Sequence, residues 1–212
     1  MFRILSAAIE CLSSAIFIIP AIIILQYAIF GQHNFKKFVA VLVFAFYLMA
    51  VFVVTGIPTA YTLRADLGFN VIPFIDIVNN PAGYIINTIL NIILFMPMGF
   101  MLPVIWKEYH PVKKTVLMGL AVSVIIEVVQ IFSFRLTDID DLITNTTGTL
   151  AGYYIGKILS FRLPWDISCD GRNVSEKYEP VIILIVIFLI GFFLKPLVSN
   201  AVWDIVLSSQ LW

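Results

Sequence analysis

Charge is what this chain has least of. Asp, Glu, Lys and Arg make up 12% of its 212 residues, about half the share usual in a soluble domain. The 13 basic and 13 acidic residues cancel, and no basic patch interleaved with aromatics occurs, so a nucleic-acid partner is excluded. Cysteine is equally scarce. Cys11 lies in an apolar run and Cys169 in a polar one, without the spacing of a disulfide framework or a cysteine metal site. The two histidines, His33 and His110, stand apart from the acids, so neither a metal nor a cofactor is expected. There is also no nucleophile elbow, Walker loop or His-rich phosphatase signature. No polar stretch is long enough for a separate soluble domain.

What remains is apolar. The sequence is 61% hydrophobic with a mean hydropathy of +1.01, which places it among integral membrane proteins. In lipid the backbone must satisfy its own polar groups, and helices do so within one segment. The expected fold is therefore all-α, a polytopic transmembrane helix bundle forming one membrane domain over residues 1–212. At about 20 residues per crossing there is room for about six spans. The N-terminal Met1-Phe2-Arg3 and the following apolar run resemble a signal peptide, but no small-x-small cleavage site follows and a retained helix is expected.

The spans are read as about Cys11–Phe30, interrupted by Pro20, then Phe38–Ile57, stopping at Thr55-Gly56-Ile57-Pro58, and Ile85–Trp106. Three more follow at Thr115–Phe134, Asp138–Phe161 and Pro180–Leu197, the last with Lys195 placed to snorkel. Residues 59–84 are too polar to cross and are expected to be interfacial or re-entrant. Trp106 and Tyr109 suit an interfacial aromatic belt, and the tail with Trp203 and Trp212 is expected to rest at the interface.

The polar residues are concentrated in one stretch. From Ser123 to Gly152 the chain carries Glu127, Gln130, Arg135, Asp138, Asp140, Asp141 and Asn145. Each ionisable group costs about 2.5–3.5 kcal/mol at membrane depth on insertion scales, so such a cluster points to a functional site. Ser123, Glu127 and Gln130 fall on one helical stripe, and Asp138, Asp141, Asn145, Gly148 and Gly152 on another. Gly148 and Gly152 form a small-xxx-small pair suited to close helix packing. Asn87 and Asn91, four apart, share a third face. Asp140 turns away from its neighbours' stripe and is expected in solvent. The candidate binding residues are thus Glu127, Gln130, Arg135, Asp138, Asp141, Asn145, Asn91 and Asn87, and the catalytic candidates are Glu127, Asp138 and Asp141. A capped interhelical turn would explain one of these acids but hardly three.

Basic residues set the expected orientation. With six spans, nine of the thirteen (Lys36, Lys37, Lys107, Lys113, Lys114, Lys157, Arg162, Arg172 and Lys177) fall on one side, which the positive-inside rule makes cytoplasmic. Both termini, residues 59–84 and the Arg135–Asp141 connection then face outward.

Four ordered motifs resemble the VanZ-like family. They are N-x-I-P-F at Asn70–Phe74, N-I-I-L-F-M-P-M-G-F-M-L-P at Asn91–Pro103, I-E-x-x-Q at Ile126–Gln130, and R-x-x-D-x-x-D-L-x-x-N-x-x-G-x-x-x-G at Arg135–Gly152. The resemblance spans about residues 40–160 and leaves the flanking helices, about 11–30 and 180–197, outside. It implies a multi-pass bacterial plasma-membrane protein linked to lowered susceptibility to glycopeptide antibiotics, teicoplanin especially. It brings no assigned mechanism or cofactor.

Three functions fit these residues. An outer-side polar pocket could bind a cell-envelope lipid, a lipid-linked cell-wall precursor or a glycopeptide, with membrane lipids as the surrounding partner. Alternatively, paired carboxylates beside an arginine could hydrolyse a lipid-linked phosphate or ester. A small transporter would use the same groups at a midplane site, although no internal repeat is visible.

Overall fold

The computed structural model describes residues 2–63, 69–70, 80–133, 137–160 and 174–209. Among the described residues, seven α-helices follow in chain order: α1 (Phe2–Ile23), α2 (Phe35–Thr55), α3 (Pro81–Ile105), α4 (Val112–Gln130), α5 (Ile139–Ser160), α6 (Val174–Leu189) and α7 (Lys195–Ser209). A π-helical turn at Ile24–Ile29 extends α1, another at Ile190–Leu194 joins α6 to α7, and a 3₁₀ turn at Lys107–Tyr109 follows α3. Two-residue strands, β1 (Phe69–Asn70) and β2 (Thr137–Asp138), pair in parallel. The protein is an all-α bundle.

Four of the described helical stretches are long and apolar enough to cross a membrane: Ile9–Ile29, Phe35–Thr55, Pro81–Ile105 and Lys177–Val202. The sequence leads one to expect spans at α4 and α5 too. These helices are 19 and 22 residues long, but their polar residues lower their hydropathy, among them the buried Ser123, Glu127 and Gln130 of α4 and Thr144, Asn145 and Thr149 of α5. The terminal helices are also longer than expected. The first starts at Phe2, and the last continues through its π turn to Ser209. Most of the 59–84 segment, expected to be interfacial, lies outside the described residues.

The helices form two compact units, Met1–Leu63 with Tyr178–Trp212, and Arg64–Lys177. In the first, α1 packs on α2 and α7 around buried Ile18, Ile22, Val41, Phe44, Leu48 and Met49. Asn34 caps α2 by accepting the N–H of Lys36 at 3.0 Å, and Gly56 ends it in the left-handed conformation, φ 70°. This end sits where the glycine places it. Charge is buried here as well: Lys37 Nζ meets Glu179 Oε2 at 2.8 Å with both side chains at most 2% exposed. Gln26, in the π turn, donates from Nε2 to Glu179 Oε1 at 2.7 Å. Lys195, expected to snorkel, pairs with Glu10 at 2.8 Å.

The second unit is built on α3, α4 and α5. A Cβ on Gly148 or Gly152 would strike the backbone of Ile92 or Met96, and one on Gly156 would sit tightly against the Phe100 ring at 3.0 Å. The contacts advance by four residues on both helices, so α3 and α5 run parallel with their backbones touching. The small-xxx-small pair at Gly148 and Gly152 has the packing role its spacing suggests, and Gly156 extends it by one turn. Thr149, fully buried, is seated between Gly99 of α3 and Gly119 of α4. Against α5, α4 runs antiparallel, because Gly119 meets Thr149 while Ser123 meets Asn145. Trp106 and Tyr109, expected in an aromatic belt, are buried instead. The 3₁₀ turn folds Tyr109 back onto α4, where its hydroxyl donates to the sulfur of Met118 at 3.9 Å.

Candidate functional site

The parallel pairing of α3 and α5 brings their N-terminal turns to the same end of the second unit, and the antiparallel α4 delivers its last turn there. Asn80 caps α3: its Oδ1 accepts the N–H of Gly83 at 3.1 Å, and Pro81 occupies the first turn, where its missing N–H costs nothing. At the head of α5, Asp138 Oδ1 accepts the N–H of Asp140 at 3.0 Å. Acids at this position also complement the positive end of the helix dipole.

Between these two helix starts lies a cavity of about 240 Å³. From α3 it is lined by Asn80, Gly83, Tyr84, Asn87 and Thr88, and from β2 and α5 by Asp138, Asp140, Asp141 and Thr144. Every side chain in this lining carries a polar atom.

The expected site residues divide by role. Asp138, Asp141 and Asn87 line the cavity. Asn91 stands one bond behind them, its Nδ2 donating to Asp141 Oδ1 at 2.6 Å. Glu127, 3% exposed, accepts the backbone N–H of Asp138 through Oε2 at 3.0 Å, so it anchors the strand that carries Asp138. Asn145 is buried one turn further in, donating to Ser123 Oγ at 2.9 Å. Gln130 is buried on α4 beside the same stripe. Arg135 lies outside the described residues.

Asp140 requires a correction. Expected in solvent, it is 4% exposed and lines the cavity. Asp138 stands in β2, ahead of the helix, and the start of α5 presents Asp138, Asp140 and Asp141 together to the end of α3. Tyr84, Thr88, Asn80 and Thr144 were not anticipated. The first two share a helical face with Asn87 and Asn91, and continuing that stripe toward the N-terminus would have found them. Thr144 had no comparable signal. Among the described residues no three His, Cys, Asp or Glu side chains converge closely enough to hold a metal ion. The carboxylates stand around the cavity instead of meeting at a point.

The opposite end of the unit is basic, with Lys107 in the 3₁₀ turn, Lys113 and Lys114 in the first turn of α4 and Lys157 in the last turn of α5. Lys114 hydrogen-bonds the exposed Glu108 and holds its carboxyl below its ordinary value. Burial pushes the Tyr109 phenol up.

Four helical stretches long and apolar enough to cross a membrane define a multi-pass membrane protein, and in the second unit a polar cavity lies at the head of one of them, α3. The family follows from the sequence. The VanZ/LLP1 family model matches residues 44–160, more than half of the chain, and the protein belongs to the VanZ-like family. No curated protein and no solved structure matches it. Motifs scattered through the matched region meet at the cavity: Asn70 pairs with Asp138 in the short β ladder, Asn91 bonds Asp141, and Glu127 holds the Asp138 backbone.

Proposed function

We propose that this chain is a bacterial plasma-membrane protein whose cavity opens at the outer face and binds a polar group of a cell-envelope lipid or cell-wall precursor, lowering susceptibility to glycopeptides such as teicoplanin. The observation that carries this reading is the cavity itself, a polar space of about 240 Å³ at the head of a 25-residue apolar helix. There it lies at headgroup depth, where an envelope lipid presents its polar part. Family membership supports the link to glycopeptides. The bias of basic residues toward the other end supports the outward orientation.

The test is made in bacteria expressing the chain and challenged with teicoplanin. Asp138→Asn and Asp141→Asn, both in the cavity lining and at unchanged protein level, are expected to restore susceptibility; unchanged susceptibility would remove the cavity from the phenotype. Orientation is read separately with Asn87→Cys, an exposed position at the cavity. Labelling by an impermeant thiol reagent from outside the cell supports the reading, and labelling only from the cytoplasmic side overturns it.

A further inference from the structure

The aromatic belt expected at Trp106 and Tyr109 does not form there, since both rings are buried. Exposed rings gather instead in the first unit, at the turn between α1 and α2. Tyr27 stands 5.8 Å from His33 and 5.7 Å from Phe38, centroid to centroid, and Phe38 stacks on Phe35 at 6.4 Å. The four rings form one row. Tyr27 is 39% and Phe35 70% exposed, and His33, Asn34 and Lys36 are exposed beside them. Two rings carry polar tips and two are phenyl groups, a mixture that suits the layer between water and hydrocarbon. The turn stands where that layer belongs: one stretch able to cross a membrane, Ile9–Ile29, ends just before it, and another, Phe35–Thr55, begins in it.

Charge marks the same depth independently. At this end Glu179 accepts hydrogen bonds from Gln26 and Lys37, and toward the other end Glu10 pairs with Lys195. The two layers are sixteen positions apart on α1, from Glu10 to Gln26, and sixteen apart again from Glu179 in α6 to Lys195 at the start of α7. The residues between them carry no charge on either stretch. Sixteen positions span about 24 Å at the α-helical rise, and the hydrocarbon layer is about 30 Å thick. Both charged layers therefore fall near its edges, away from the centre where ionisable groups cost most. At the second edge the Glu10 and Lys195 side chains are partly open, as contact with water permits. Tyr61, exposed, follows the end of α2, in a turn tied to the π segment ahead of Lys195 by the Ala60 N–H, which donates to the Phe192 carbonyl at 3.0 Å. Between the edges α1 exposes Leu12, Ile16, Ile19 and Ile23.

We infer that the first unit carries its own bilayer anchor: the ring row Tyr27, His33, Phe35 and Phe38 sits at headgroup level on one side, Tyr61 sits at headgroup level on the other, and lipid covers the apolar face between. The partner is a phospholipid interface. The inference is independent of the cavity in the second unit.

The experiment places single nitroxide labels on the full chain in phosphatidylcholine vesicles, using Phe35→Cys, Tyr61→Cys and Ile19→Cys, each with Cys11→Ser and Cys169→Ser. Power saturation compares access by oxygen, which concentrates in hydrocarbon, with access by a water-soluble nickel chelate. The oxygen-to-nickel ratio is expected to be several times higher at position 19 than at 35 and 61, which should share an intermediate value. A fully aqueous ratio at position 35 or 61, or one there as high as at position 19, overturns the inference. Exclusion of both reagents at position 35, with dipolar broadening between labels, would show a second copy covering the row and also overturns it.

Anchoring is tested by substitution away from the label. Tyr27→Ala with Phe38→Ala should shift the ratio at position 19, whereas Tyr27→Phe should leave it in place; an unmoved ratio in the alanine pair overturns the anchoring role. If labelled chains fail to fold, Tyr27→Trp in lipids brominated at different acyl positions gives the same depth. Quenching beyond that of the parent protein should be greatest with bromine near the ester end of the chain, and a maximum at the chain terminus, or no added quenching, overturns the inference.

Discussion

The Glu127 carboxylate accepts the backbone N–H of Asp138 at 3.0 Å, tying the end of α4 to the strand that opens α5. A buried acid thus serves the main chain of the site more directly than it serves the space of the site. The cavity wall depends on that bond, since Asp138 in turn accepts the N–H of Asp140.

Glu127→Leu is expected to cost about 1–3 kcal/mol, the penalty of a buried donor left without its acceptor. Glu127→Gln, whose amide oxygen can still accept, should cost less. Chemical unfolding of the purified protein in micelles measures both, and equal stability of the leucine variant would show that the bond contributes nothing.

Backbone contact between α3 and α5 leaves no room at Gly152, where a Cβ would collide with the Met96 carbonyl. Gly152→Leu is expected to lose about 3 kcal/mol or more through overpacking, seen as a collapse of the folded yield. Gly191 makes a useful contrast. A Cβ there meets only Met49 at ordinary contact distance, 3.6 Å, so Gly191→Ala should gain about 0.5–1 kcal/mol from reduced backbone freedom.

The Lys37–Glu179 pair should show strong coupling. Each charge is buried against the other, so Lys37→Met or Glu179→Leu alone is expected to cost about 3–5 kcal/mol by stranding its partner. The double variant should recover much of that loss. A double-mutant cycle by thermal unfolding decides the matter, and strictly additive costs would contradict the coupling.

Lys114 holds the Glu108 carboxyl low, chiefly by its hydrogen bond. A depressed folded pKa gives a contribution fully present above the unfolded carboxyl value, about 4.3, and lost as pH falls through the lower folded value. In Lys114→Met the Glu108 titration, followed by NMR of a carboxyl-labelled sample, should move back up. Because both groups are exposed, the effect on overall stability is expected to be slight.

Membrane class, all-α architecture and family follow from the sequence because each rests on local properties: apolar run length, helical periodicity and ordered motifs. The α2 stop at Gly56 and the close packing at Gly148 and Gly152 are of the same kind, since a left-handed cap or a missing side chain acts where it stands. So are the stripes that place Ser123, Glu127 and Gln130 inward on α4. Tertiary structure decided what those stripes meet. Helix phase separates Asp140 from Asp138 and Asp141, but Asp138 stands in β2 ahead of α5, and the end of α3 meets all three acids with Tyr84 and Thr88 in the same lining. Likewise only folding joins Lys37 and Glu179, 142 positions apart, in one buried pair. Periodicity fixes a direction around a helix axis. Whether that direction leads to lipid, water or a second helix depends on the parallel register of α3 and α5, set by their interlocking glycines.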